Sequence, residues 1–318
     1  MNSARFSLSY LFLAVLTTAC KEAPADPNRD RLASVSALQA FSADSTTVGL
    51  AWTATTATNT GYMADHEIIV RAGEQILQTL NTPNSATSYS VFGLTEGVVY
   101  TFELTVRANE TSPYLNSQPV TIAWSPAKRL TSDAGTGAPL RLYESDSPGN
   151  MHALRLYSDS AKGARLVSLS SVERAEMDVY LLSAPVGVRL RSGDLYAQSP
   201  AGKETKFSER IPVSASSLDN PQPFAPGLET YSLDEVNIPT ESVQTGLIFF
   251  ARTADNHYVR ILVLRGANNR LIEGTASNRY ITVQLSYQSV AGIQYAHYEG
   301  DSRVALPALW VSRILAQR

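Results

Sequence analysis

The chain has 318 residues, a formal net charge of −3 and one cysteine, Cys20. That length is ample for two domains, and charges of both signs leave no basic footprint for nucleic acid. A lone thiol cannot close an intramolecular disulfide, so burial has to supply the stability.

Residues 1–5 carry one positive side chain, residues 6–16 (FSLSYLFLAVL) are largely apolar, and residues 17–19 are small. This is the charged, hydrophobic and small-residue order of a secretory signal. Its apolar core is about half the roughly 20 residues that span a bilayer as a helix, which disfavours a permanent transmembrane anchor. Thr18, Ala19 and Cys20 complete a segment that resembles a bacterial lipoprotein signal. The resemblance implies cleavage after residue 19, a diacylglycerol on the Cys20 thiol and usually an acylated amine. Two or more chains give stable anchoring where one gives marginal binding. Lys21 in place of an aspartate leans the expected location toward the outer membrane of the cell envelope. Residues 20–31 are polar with two prolines and read as a tether.

Residues 32–124 read as all β. Val48, Leu50 and Trp52 alternate onto one face, HEIIVRA supplies another strand, and residues 75–80 follow the turn at Ala72 and Gly73. Tyr89 and Val91 precede a corner at residues 94–97, after which Tyr100, Phe102, Leu104 and Val106 alternate. A tyrosine placed there can bury its ring and return its hydroxyl to upstream backbone, as in the tyrosine corner of Greek-key sandwiches. Trp52, the Leu94-x-x-Gly97-x-x-Tyr100 corner and the strand after it resemble a fibronectin type III domain, with Glu96 where that family often has proline. The resemblance implies a β-sandwich acting as spacer or binding module. Trp52, Leu94 and Tyr100 are its expected core residues.

Residues 125–137 are turn-rich and read as a linker or a domain's first loops. From residue 138 to 318 the pattern is a second antiparallel, sandwich-like β domain, expected to fold alone and to carry the function. Short strands are expected at 152–157, 164–170, 177–183 and 187–192, spaced as in sandwiches and barrels. Residues 203–245 hold five prolines and read as a long excursion broken by short strands. Residues 247–252 and 257–264 form a hairpin through an Asp-Asn turn. With residues 280–288 they make a meander expected to pack one face on a core. The hairpin is similar to the closing hairpin of secreted β-rich lipoproteins, including haem scavengers. A short terminal helix is expected from Pro307.

Chemistry is sparse. The four histidines, His66, His152, His257 and His297, are not paired at ligand spacing, and no cofactor is indicated. Glu144 and Asp146 lack the spacing of an EF-hand loop and read as a solvated turn. No nucleophile elbow, P-loop or dinucleotide fingerprint occurs. The reading is an envelope-anchored, non-enzymatic binding or structural module. Its partners are the membrane and a protein or carbohydrate. Tyr295, His297 and Tyr298 are the first binding residues to probe. The rivals are capture of haem or carbohydrate by the second domain, and a hydrolase whose site is scattered in sequence.

Overall fold

Alternation of apolar and polar side chains, broken every few residues by turn formers, yields most of the twenty strands found among the described residues. The structure, a computed structural model, describes residues 30–55, 60–170, 172–185, 187–208, 211–215, 217–219, 231–294 and 296–297. Cys20, Tyr295, Tyr298 and the segment from Pro307 lie outside them.

The first unit holds β1 (Ser36–Asp44), β2 (Thr47–Thr53), β3 (Met63–Ala72), β4 (Gln75–Pro83), β5 (Ser88–Val91), β6 (Tyr100–Ala108) and β7 (Val120–Trp124). Strands β1, β2 and β5 make one sheet, and β7, β6, β3 and β4 the other, all antiparallel. Val48, Leu50 and Trp52 from the first sheet and Ile68, Val70, Phe102, Leu104 and Val106 from the second fill the space between. Tyr100 is buried, and its hydroxyl accepts the Thr95 N–H at 2.9 Å, which closes the corner.

The second unit begins earlier than composition implies. Strand β8 (Lys128–Leu130) lies inside the turn-rich 125–137 segment. It is followed by β9 (Leu140–Tyr143), β10 (Ala153–Ser158), β11 (Gly163–Val167), β12 (Val179–Ser183) and β13 (Val188–Ser192). The proline-bearing excursion contributes β14 (Thr205–Phe207), β15 (Ile211–Ala215) and β16 (Glu235–Ile238). The remaining strands are β17 (Gly246–Thr253), β18 (Tyr258–Val263), β19 (Tyr280–Tyr287) and β20 (Ala296–His297). One sheet runs β11-β10-β12-β13-β16. The other runs β14-β17-β18-β19-β8, with β15 also on β17 and β9 also on β19. Leu154, Leu156, Leu181 and Leu190 of the first face Phe249, Val259, Ile261 and Val283 of the second.

The meander of β17, β18 and β19 has both faces covered, not one. Phe249, Ala251, Val259, Ile261 and Val263 belong to the second core, whereas Ile248, Phe250 and Leu262 belong to the apolar cluster of the first unit. All six residues of β18 are buried. Doubly covered strands read as near-continuous apolar runs, which is why GLIFFA and VRILV lose their alternation. The chain then crosses back: β20 pairs with β7, Ala296 opposite Trp124 and His297 opposite Ala123. The strand carrying His297 thus extends the sheet of the first unit.

Candidate functional site

Polar and aromatic side chains gather where the two units meet. It is built around the corner of the first sandwich. Glu96 is largely buried and receives two groups of the second unit: the Ser289 N–H at 2.9 Å and the Lys128 ammonium at 2.6 Å. Gly97 has φ +82°, and a Cβ there would lie 2.3 Å from Val290 Cγ2, so the corner and the 288–293 loop touch backbone against side chain. Only glycine satisfies both the left-handed conformation and that approach. The wholly buried Gln288 donates from Nε2 to Ser125 Oγ and to the Pro126 carbonyl, each at 3.1 Å. Arg129 donates to the Ser42 carbonyl at 2.7 Å and pairs with Asp219 at 2.8 Å. Most polar groups withdrawn from water keep partners here, as burial requires, with Arg129 Nε the exception among the residues just named.

Next to this junction the side chains stack. Lys128 Nζ sits 5.8 Å from the Tyr157 ring centre, and Tyr157 stacks on Tyr287 with centroids 4.9 Å apart. His257 also stacks on Tyr287, with centroids 5.5 Å apart. His257 Nδ1 lies 3.1 Å from the Gln288 carbonyl, an acceptor only, so Nδ1 carries the proton and Nε2 is left for other partners. Asp178 lies buried nearby and accepts the Leu156 N–H at 2.7 Å. Loss of hydration raises its carboxyl from 3.8 to about 6; the Leu156 N–H and the charges of Lys203 and Arg155 offset only part of this. Burial, with the charges of Asp178, Asp159 and Asp255, pushes the Tyr287 phenol up as well.

This arrangement predicts a pH effect of definite sign. Between pH 4 and pH 6 the folded state holds a proton on Asp178 that the unfolded chain releases, so its contribution to stability falls as pH rises through that window. Above pH 6 the ionised carboxylate costs about 3 kcal/mol. Asp178→Asn keeps an acceptor for Leu156 and removes the charge. Urea midpoints measured from pH 5 to pH 7.5 should therefore diverge, with the variant gaining on wild type toward higher pH. Parallel curves would mean that Asp178 is hydrated.

A small cavity of about 130 Å³ opens beside the β17–β18 turn, lined by Glu204, Lys206, Arg252, Thr253, Ala254 and Asn256. The Ala254 N–H donates to the Glu204 carbonyl at 2.9 Å. The Asn256 carbonyl accepts the Gly292 N–H at 2.8 Å, which ties the rim to the loop held by Glu96. Lys206 is bound by Asp234 and Glu204, whose hydrogen bonds hold its ammonium above the usual lysine range. Arg252 lies over the Tyr231 ring at 5.8 Å, and Tyr231 meets Tyr258 edge-on at 5.3 Å.

Of the described residues singled out from sequence, His257 lies at this place and the others do not; Tyr295 and Tyr298 fall outside the described residues. Trp52, Leu94 and Tyr100 are packed in the first sandwich. The His66 ring is buried against Trp52 at 5.5 Å, and burial lowers its pKa. His152 is buried with Nδ1 2.8 Å from the Glu144 carbonyl, in the second sandwich, whereas His297 lies on the sheet of the first. Glu144 is not in a solvated turn. Burial alone would raise its carboxyl, but Arg279, donating at 2.6 and 2.8 Å, holds it below the usual range. Among the described residues no group of three or more His, Cys, Asp and Glu is placed to hold a metal ion. The 253–256 turn was visible as a turn but not as a rim, because its facing residues Glu204 and Lys206 lie about fifty positions upstream.

Residues 33–123 match the family model of the fibronectin type III domain. With its two sheets and closed tyrosine corner, the first unit is a fibronectin type III domain. Two solved structures align with the chain. One is titin kinase with its flanking domains, at 10% identity and a TM-score of 0.24, with 83% of this chain and 38% of that one covered. The other is the chicken CNTN1 FN1-FN3 domains, at 10% identity and a TM-score of 0.21, with 83% and 86% covered. No curated protein matches the chain.

Proposed function

We propose that this chain is a lipid-anchored protein of the cell envelope, outer membrane rather than inner. In this reading its fibronectin type III domain holds a second β-sandwich off the membrane, and the second sandwich binds a ligand without turning it over. The observation that carries the reading is the junction. Glu96, at a position where the family often has proline, bridges Ser289 and Lys128, and the β17–β19 sheet is packed on both sides. Such a junction favours one stiff body over two domains on a flexible string. The signal-like residues 1–19 and the polar segment to Arg31 supply the anchor and tether at its end. Binding groups on loops set into a rigid scaffold are the usual way a sandwich recognises a partner.

The anchor has a direct test. Intact-mass analysis of protein extracted from membranes should find an N-terminal Cys20 carrying diacylglycerol, and Cys20→Ala should remove the modification and release the chain to the soluble fraction. Wild type recovered without lipid, or cut elsewhere, would overturn the anchor.

A further inference from the structure

We infer that the cavity beside the β17–β18 turn takes the carboxylate of an acidic sugar, a uronate unit free or at the end of a polysaccharide. The inference rests on the second sandwich being the binding half of the protein.

Charge is the first argument. Of the two cations lining the cavity, Lys206 is spent on Glu204 and Asp234. Arg252 is exposed and, among the described residues, has the Tyr231 ring as its only charge contact and no carboxylate within ion-pair distance. Its guanidinium presents a planar fork that suits a carboxylate bidentately. The donors around it point to the same ligand class. The Thr253 hydroxyl oxygen already accepts the His257 N–H at 3.1 Å, so its own proton is left to donate. The Asn256 amide makes no side-chain hydrogen bond among the described residues, and its backbone is held in the left-handed region at φ +61°.

Size narrows the ligand. A cavity of about 130 Å³ is smaller than the roughly 300–1,000 Å³ of sites that enclose whole drug-sized molecules, so it holds one charged end group. The remainder of the ligand lies outside, beside Glu204, whose carboxylate can accept sugar hydroxyls, and near the half-buried Tyr231 ring. A carboxylate joined to a hydroxylated ring meets both features. An apolar acid would offer no hydroxyl to the Glu204 carboxylate oxygen that Lys206 does not bind, and a neutral sugar would leave Arg252 unmatched. The rim is also preset: Ala254 and Asn256 are tied by backbone bonds to Glu204 and Gly292 before any ligand arrives, which lowers the ordering cost of binding.

The test uses the full chain, titrated by amide chemical shifts and calorimetry with glucuronate, its uncharged methyl ester, glucose, inorganic phosphate and a glucuronate-bearing polysaccharide. Glucuronate should move resonances of residues 252–256 in a saturable way, while ester and glucose should bind at least tenfold more weakly. Arg252→Gln should weaken glucuronate at least tenfold, Arg252→Lys should fall between, and Arg270→Gln, at an exposed arginine away from the cavity, should leave it unchanged. Saturation by the monosaccharide identifies the free sugar as a sufficient ligand. Saturation by the polysaccharide alone, abolished by Arg252→Gln, identifies the polymer. Equal binding of ester or phosphate, indifference to Arg252→Gln, or no binding of either uronate form would overturn the inference. In that event a lipidated Cys20 in the same preparation would leave the anchored module standing.

Discussion

A chain cut to residues 138–318 is expected to lose its folded state, although the strand pattern alone reads as a self-sufficient domain. The cut removes β8, which pairs Lys128, Arg129 and Leu130 with Tyr287, Ser286 and Leu285 of β19. It removes Ser125 and Pro126, the partners of the buried Gln288 amide. It also bares the outer face of the meander, where Ile248, Phe250 and Leu262 are each no more than 3% exposed in the intact chain. Three such side chains are worth about 1.5–3 kcal/mol each. Their sum is comparable to the roughly 5–15 kcal/mol that separates a typical domain from its unfolded state. The intact protein should accordingly unfold in urea as one transition, and the fragment should show collapsed near-UV dichroism or aggregate. A fragment with the midpoint of the whole protein would show that the second sandwich stands without its neighbour.

The second large effect is expected at Trp52. Its ring fills the centre of the fibronectin type III core, 5% exposed, with the His66 imidazole edge-on to it. Trp52→Ala leaves a cavity that the two flanking sheets cannot close, at a cost of about 3–5 kcal/mol. Thr53→Ala, one residue along on the exposed side of β2, should stay within about 0.5 kcal/mol. Because the two cores share the β17–β18 wall, the Trp52 change should lower the stability of the whole molecule and not of one half. Equal small effects at both positions would mean that Trp52 is not in the core.

The corner shows how local signals can be read correctly and still understate a residue. Leu94, Gly97 and Tyr100 are recognisable from spacing because their roles are short-range: a buried anchor, a left-handed turn and a hydroxyl returning five residues upstream. Glu96 looks like a departure from pattern until Ser289, 193 positions away, donates to it. The same distance problem hides the cavity. The Asp-Asn turn after Thr253 is legible from composition, whereas its facing wall comes from β14, inside the segment that reads as a loose excursion. Glu144, too, reads as a turn carboxylate because Arg279, its partner, is 135 residues on.

By itself the sequence determined the all-β class, the fibronectin type III unit, the positions of most strands and the core roles of Trp52 and Tyr100. These depend on period-2 alternation and turn chemistry, which act over a few residues. Only the tertiary structure decided that β8 joins the second unit and β20 returns to the first, that the β17–β19 meander is buried on both faces, and that Arg252 stands over a cavity with its neighbour cation already neutralised. Those features depend on which strands pair across long stretches of chain and on the loss of water where they meet. No local pattern of residues encodes either.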